Sequence, residues 1–224
     1  RKLPDDILQR LCDIFALYER TRRWPSSLAV GLIAAIPKEE GGLQAKDLRP
    51  ITVMSTVYRL WAATRMSEVT TWQASWITEH IGSYRPSMAC HDLWCAQGLE
   101  IEHSLLTGEP LGGISIDFAK AFDSLPVDIL FKIAGRMGLA QNILRPLRGM
   151  TCQLVRHFKV GPHVGEGFQS TNGILQGCPL SVGLLNMLVQ VWARAIVAEV
   201  PNANARMQTT FQPPRDLLQA FARW

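Results

Sequence analysis

Residues 114–123 read Ile114-Ser115-Ile116-Asp117-Phe118-Ala119-Lys120-Ala121-Phe122-Asp123. They follow from a short apolar run, Leu111 to Phe118, that has the composition of a β-strand. Asp117 lies at the end of that run, and the chain then turns into a helix-like segment. A carboxylate at a strand terminus is placed to hold a hard, oxygen-seeking cation such as Mg²⁺. A surface aspartate that merely ends a strand shows the same pattern, so the stretch acquires meaning only from its surroundings.

Upstream, apolar residues at Ile7, Leu8, Leu11, Ile14, Phe15 and Tyr18 predict a helix over Ile7–Arg22, started at Pro4-Asp5-Asp6 and broken at Pro25. Leu28–Ile36 reads as a strand ended by Pro37, Lys38–Lys46 as a polar loop, and Leu48–Val53 as mixed. Helices are expected over Ser55–Trp72 and Ser87–Leu106, the second closed by Gly108, with Gly82–Pro86 as a loop between them. Downstream, helices are expected over Val127–Met137 and Ala140–Met150, then a hairpin over Cys152–Phe168 turning at Gly161-Pro162 and Gly165. Ser181–Val200 reads as a strong apolar helix, and Leu217–Trp224 as one or two further helical turns. Helices and strands interleave without regular βαβ alternation, which points to an α+β fold.

With 224 residues, 47% of them hydrophobic, the chain can bury a sizeable core. The net charge of +4 permits a nucleic-acid partner without arguing for one. Basic residues cluster at Arg20, Arg22 and Arg23, and again at Arg145, Arg148, Arg156, His157 and Lys159; a solvated face explains such clusters equally well. No run of consecutive apolar residues approaches the roughly 20 needed to cross a bilayer. Five cysteines at irregular spacing imply a reducing compartment rather than a disulfide framework. Cys90, His91, Cys95 and His103 fit no zinc spacing. The first residue is Arg1 rather than Met, as expected of a piece of a longer chain.

Two further motifs stand out. Asn172-Gly173-Ile174-Leu175-Gln176-Gly177-Cys178-Pro179-Leu180-Ser181 is a Gly/Pro loop that leads into the Ser181 helix. Gly177 allows close backbone approach, Gln176 offers an amide near the helix start, and Ser181 is a good cap. Ile36-Pro37-Lys38 and Arg49-Pro50-Ile51 place two cations on either side of a Gly-rich loop, where they could hold phosphates.

In this order, Ile-Pro-Lys, Asp-Leu-Arg-Pro-Ile, Ile-Asp-Phe-Ala-Lys-Ala-Phe-Asp and Leu-Gln-Gly-Cys-Pro-Leu-Ser resemble the reverse transcriptase family, closest to its non-LTR retrotransposon and group II intron branch. Gly82-Ser83-Tyr84-Arg85-Pro86 sits where that branch carries a Gly-Phe-Arg loop. The resemblance runs from about Leu3 to Val200. It implies the fingers (1–110) and a partial palm (111–224) of a right-hand polymerase, with the thumb absent. It also implies template-directed DNA synthesis by two-metal phosphoryl transfer with Mg²⁺ or Mn²⁺, on an RNA template and DNA primer, from dNTPs. No membrane partner is implied, and the location is intracellular, nuclear for a eukaryotic retroelement.

Carried over by position, Asp117 matches the first metal-binding aspartate, and the Phe118 carbonyl is expected to join it. Phe122 matches the steric gate that rejects a 2′-hydroxyl. Lys38 and Arg49 match the cations that hold the triphosphate, Gln176 and Gly177 match the nucleotide pocket, and Arg85 matches a nucleic-acid contact. Asp123 fits the Ala-Phe-Asp signature, where helix capping or a structural hydrogen bond accounts for it. Position 182 is Val where the family usually has Pro.

The family's Tyr/Phe-x-Asp-Asp hairpin, which supplies the second carboxylate, has no counterpart. After Pro179 the only acidic residues are Glu199 and Asp216, neither with an acidic neighbour. A deletion between about Val200 and Pro213 is the expected cause, since composition there shifts abruptly to Asn, Ala, Gln, Thr and Pro. The chain is then a polymerase fragment. Its alternatives are a catalytically dead nucleic-acid-binding remnant and, from the pair Asp117 and Asp123, an RNA-dependent RNA polymerase; Phe122 speaks against the last.

Overall fold

A computed structural model of the chain describes residues 3–38, 44–78, 81–83, 85, 87–112, 116–118 and 120–199. Asp5 and Asp6 open helix α1 (Asp5–Thr21), where negative charge favours a helix N-terminus. It ends at Arg22, whose φ of 61° turns the chain out of the helix while its N–H still bonds the Tyr18 carbonyl. Strand β1 (Val30–Pro37) follows, then a 3-10 turn at Ala45–Asp47, strand β2 (Leu48–Val53) and helix α2 (Thr56–Ala74). Helix α3 (Cys90–Thr107) is closed by Gly108 in the left-handed region, φ 73°. The short α4 (Ala121–Ser124), then α5 (Val127–Arg136), α6 (Gln141–Gln153), β3 (Val155–Val160), β4 (His163–Val164) and α7 (Ser181–Glu199) complete the described order.

The content is mixed helix and strand. Helices α1, α2, α3, α5, α6 and α7 and the hairpin at Gly161-Pro162 lie close to the sequence expectations. Leu48–Val53, expected to be mixed, is a strand because β1 offers it an antiparallel partner, with Ile36 opposite Arg49 and Leu32 opposite Val53. The sheet order is β2-β1-β3-β4. The parallel pairing of β1 to β3, Val30 opposite Val155 through Ala34 opposite Lys159, joins segments more than a hundred residues apart.

Two sequence expectations are corrected. The strand over Leu111–Phe118 is absent among its described residues, since 111–112 and 116–118 have no regular structure. A strand needs a neighbour for its backbone N–H and C=O groups, and the sheet holds none for it. Leu111, Ile116 and Phe118 accordingly remain 54%, 53% and 46% exposed. Second, α7 is long and apolar enough by length and composition to cross a membrane. A count of consecutive apolar residues misses it because Asn186, Gln190 and Arg194 interrupt the run. Residues 200–224, with the expected Leu217–Trp224 helix, lie outside the described residues.

The chain forms two compact units. The first comprises residues 1–69 and 121–181. Its centre is an aromatic cluster: Trp24 lies 4.7 Å from Tyr18 and 5.3 Å from both Tyr58 and Trp61, ring centre to ring centre. Each buried polar tip has a partner, as burial requires. Trp24 Nε1 donates to the Pro146 carbonyl at 2.9 Å, and Trp61 Nε1 to Glu19 Oε1 at 2.8 Å. The Tyr58 hydroxyl and Cys178 Sγ are 3.2 Å apart, and burial pushes both groups' pKa upward. Helix α6 approaches the end of α1 so closely that a Cβ on Gly149 would lie 2.5 Å from the Arg22 carbonyl oxygen.

The second unit comprises residues 70–120 and 182–224. Here two amides one turn apart on α7 hold Thr78 and Ser83. Gln190 Oε1 accepts from Thr78 N at 2.9 Å and Oγ1 at 3.1 Å, and Asn186 Nδ2 donates to the Ser83 carbonyl at 2.7 Å. Gln190 and Asn186 are both buried, as residues of a core helix are, and Gln190 uses its oxygen on Thr78 while its Nε2 has no partner among the described residues.

Two outcomes follow for this packing. Gly149→Ala should lower stability by about 1–3 kcal/mol, because backbone rather than a flexible side chain must yield; a chemical-denaturation curve unchanged from the parent would refute the contact. Thiol labelling of the folded protein should modify exposed Cys12, Cys95 and Cys152 and spare Cys178, which should react only once denaturant is added. Prompt labelling of Cys178 without denaturant would show that its packing is wrong.

Candidate functional site

In the first unit, the loop over residues 172–180 binds two neighbours through its own backbone. Gly173 N–H donates to the Leu125 carbonyl and Ile174 N–H to the Phe122 carbonyl, both at 2.7 Å. The Gln176 carbonyl accepts from Thr52 N–H at 2.8 Å. One loop thereby satisfies the turn around α4 and the outer edge of β2, whose inner edge is taken by β1. Buried Ile174, Leu175, Cys178 and Leu180 anchor it from below.

Two glycines make this approach possible. Gly177 has φ +117°, and a Cβ there would meet the Thr52 carbonyl oxygen at 2.4 Å. Gly173 has φ +89°, and its Cβ would lie 2.8 Å from the Asp123 carbonyl oxygen. L-residues with a side chain rarely adopt such φ, and no side chain has room at either site.

The loop brings Gln176 and Gly177 beside the Ala-Phe-Asp turn. Phe122 is half-buried, and its carbonyl is the one bonded by Ile174. Gln176 Nε2 donates to Asp123 Oδ2 at 3.3 Å. From β3, the Arg156 guanidinium lies 5.7 Å over the Phe168 ring. Burial pulls the Arg156 pKa down, and the negative charge of Asp123 opposes that pull. Sequence reasoning grouped Arg156 with a solvated basic face and missed this environment. Nor did it see the Asp123–Gln176 link, because the two residues are 53 positions apart and no local pattern connects them.

Lys38 and Arg49 lie at the other end of the β1–β2 hairpin. Both are exposed. Lys38 N–H donates to the Asp47 carbonyl at 2.8 Å, and Lys38 Nζ to the Lys46 carbonyl at 2.8 Å. Arg49 is three residues along β2 from Thr52, about 10 Å at the usual rise per strand residue. Strand β2 therefore joins Arg49 to the seat of the Gln-Gly loop, and the pairing of β1 with β2 brings Lys38 to the same end of the hairpin.

The remaining sequence-derived residues belong to the second unit. Asp117 is exposed. Neighbouring Phe118 sets its ring edge-on against Trp192 of α7, centroids 5.4 Å apart, which ties this irregular segment to the helix. Arg85 is half-buried and donates from Nη1 to the Thr78 carbonyl at 2.9 Å, so part of its donor set is used to hold its own loop.

As a seat for divalent metal, the described residues offer little. No group of three or more Asp, Glu, His or Cys side chains comes together among them. Asp117 contributes one carboxylate. A hard cation with near-octahedral demands commonly takes one or two carboxylates and completes its shell from phosphates and water, which one aspartate can begin. Two ions bridged by shared carboxylates do not fit this donor set.

The family model described as reverse transcriptase (RNA-dependent DNA polymerase) matches residues 36–210, more than three quarters of the chain. The match takes in the end of β1, all of β2, the Asp117 segment, the Ala-Phe-Asp turn and the Gln-Gly loop. With those motifs in this order, and the Gln-Gly loop seated on two of them, the chain belongs to the reverse transcriptase (RNA-dependent DNA polymerase) family.

Proposed function

We propose that the chain is the fingers (1–110) and a partial palm (111–224) of a reverse transcriptase of the non-LTR retrotransposon and group II intron branch. On this reading it retains a deoxynucleotide pocket but does not polymerise. The observation behind the pocket is the seating of the Gln176-Gly177 loop on both the Phe122-Asp123 turn and β2. Gly177 lets the backbone close on Thr52, Phe122 lies against the same loop as the gate to the sugar, and Lys38 and Arg49 neutralise the triphosphate. RNA template and DNA primer are the remaining partners, with Arg85 as a contact to them. No membrane is involved, and the site of action is the nucleus if the parent is a eukaryotic retroelement.

The family's Mg²⁺ or Mn²⁺, when bound, supplies charge neutralisation and activation at the primer 3′-oxygen. Asp117 and the Phe118 carbonyl are the groups that would hold it here. The absence of paired acidic residues after Pro179 leaves the second position without a carboxylate. Phosphoryl transfer depends on positioning and charge neutralisation, so the loss falls on chemistry and spares nucleotide binding.

Primer extension tests the inactive half of this reading. With an RNA template, a DNA primer and Mg²⁺ or Mn²⁺, no product should form from dNTPs or rNTPs. Robust synthesis abolished by Asp117→Ala would overturn it. Titration with Mg²⁺–dATP tests the pocket. Lys38→Ala and Arg49→Ala should each weaken binding about ten- to a hundredfold, as expected for loss of one hydrogen bond to a charged phosphate. Unchanged affinity in both variants would remove the pocket. Binding of an RNA–DNA duplex that weakens steeply with salt, without any dATP binding, would favour a nucleic-acid-holding remnant instead.

A further inference from the structure

We infer that Asp123 is a positioning residue that orients the Gln176 side-chain amide, so that the pocket meets its acceptor oxygen. The inference rests on the reading of Gln176 as a nucleotide-pocket residue. A glutamine amide has one donor end and one acceptor end of nearly the same size, and a half-turn exchanges them. Nothing in the shape of the side chain chooses between the two. An ionised carboxylate only accepts, so it pairs with the Nε2 end alone.

Gln176 Nε2 donates to Asp123 Oδ2 at 3.3 Å. Oε1 is therefore turned away from Asp123. The two residues are held in this relation by backbone and not by chance contact. Gly173 and Ile174 bond the carbonyls of Leu125 and Phe122, on either side of Asp123. The Gln176 carbonyl is bonded by Thr52, which fixes the Gln176 backbone independently of its side chain. A Cβ on Gly173 would strike Asp123 itself, at 2.8 Å from its carbonyl oxygen and 2.9 Å from its Cα. The two segments are in direct contact.

Arg156 completes the arrangement. Its half-buried guanidinium lies over Phe168 and is stabilised in charged form by Asp123. The consequence for specificity is chemical. An outward-facing Oε1 pairs with a hydroxyl or N–H donor of the nucleotide, and not with a phosphate oxygen, which also only accepts. With a neutral, non-accepting residue at position 123 the amide is free to flip and loses that selectivity.

Two readouts on the intact, isotope-labelled chain test this. The first is the side-chain amide NMR cross-peak of Gln176, assigned by its loss in Gln176→Ala. Asp123→Ala should move it to the position of a solvent-exposed glutamine, with backbone changes confined to the neighbourhood of 122–125 and 173–177. Asp123→Asn, isosteric and gentler on the fold, keeps one accepting oxygen and should give an intermediate shift. An unmoved cross-peak in either folded variant overturns the inference.

The second readout is Mg²⁺–dATP affinity in a double-mutant cycle. Asp123→Ala and Gln176→Ala should each weaken binding about five- to tenfold, the range for one neutral hydrogen bond. The double variant should bind no worse than Gln176→Ala alone, because Asp123 acts through that side chain. Losses that multiply would show that Asp123 acts by another route and overturn the inference. If Gln176→Ala leaves dATP affinity unchanged, the pocket reading fails, and the cross-peak alone still decides whether Asp123 orients the amide.

Discussion

The first compact unit depends on a contact in which there is no room for a side chain. Gly177 presses its backbone against Thr52, and the neighbouring Gln176 carbonyl takes the Thr52 N–H. Strand β2 has β1 on one side and this loop on the other. An outer strand edge otherwise presents unpaired N–H and C=O groups, which invite wrong partners. The loop therefore has two tasks with one geometry. It caps the outer edge of β2 at Thr52, and it presents the Gln176 side chain beside the Ala-Phe-Asp turn. A residue other than glycine at position 177 would lose both together.

The same loop is tied into the hydrophobic core by chemistry that could otherwise have been reactive. Cys178 is buried against the Tyr58 hydroxyl, and Tyr58 stands in the aromatic cluster with Trp24 and Trp61. Burial disfavours the thiolate, which is the reactive form of cysteine. The thiol serves as a small, weakly polar filler that satisfies a phenol. Glu19 from α1 joins the same region from the other side, accepting from Trp61 Nε1 and, at 2.6 Å, from Arg65 Nε. Orientation of the loop is thus transmitted from α1 and α2 by a few buried polar contacts with fixed geometry.

Sequence patterns revealed what is local and hid what is distant. Helix α1 was legible because six apolar residues recur at helical spacing and Pro25 stops them. The α3 and α5 ends were legible because Gly108 and Gly138 take positive φ at their C-termini. The motifs of the candidate site were legible as strings in order. Their mutual placement was not. The β1–β3 pairing, the seat of Gly177 on Thr52 and the bond from Gln176 to Asp123 all join segments tens to more than a hundred residues apart. The two compact units interleave along the chain, and no composition shift marks the crossings near residues 69, 120 and 181. Arg156 was misjudged for the same reason, since its desolvation comes from Phe168 and the packed sheet rather than from its neighbours in sequence.

The irregular backbone at residues 111–112 and 116–118, within a stretch expected as a strand, belongs to the same physics. Its composition is strand-like, yet strand propensity is a preference for a pleated, half-buried surface and not a property of the segment alone. Among the described residues no strand pairs with it, and the Phe118 ring finds Trp192 instead. The Asp117 carboxylate consequently sits on an irregular, exposed segment. A metal site needs its ligands held to within a fraction of an ångström by packed neighbours. A sheet partner for this segment would supply that rigidity. Among the described residues Asp117 therefore lacks the paired backbone that would hold a metal ligand still, and a carboxylate placed beside it without such a strand would not by itself build a rigid site.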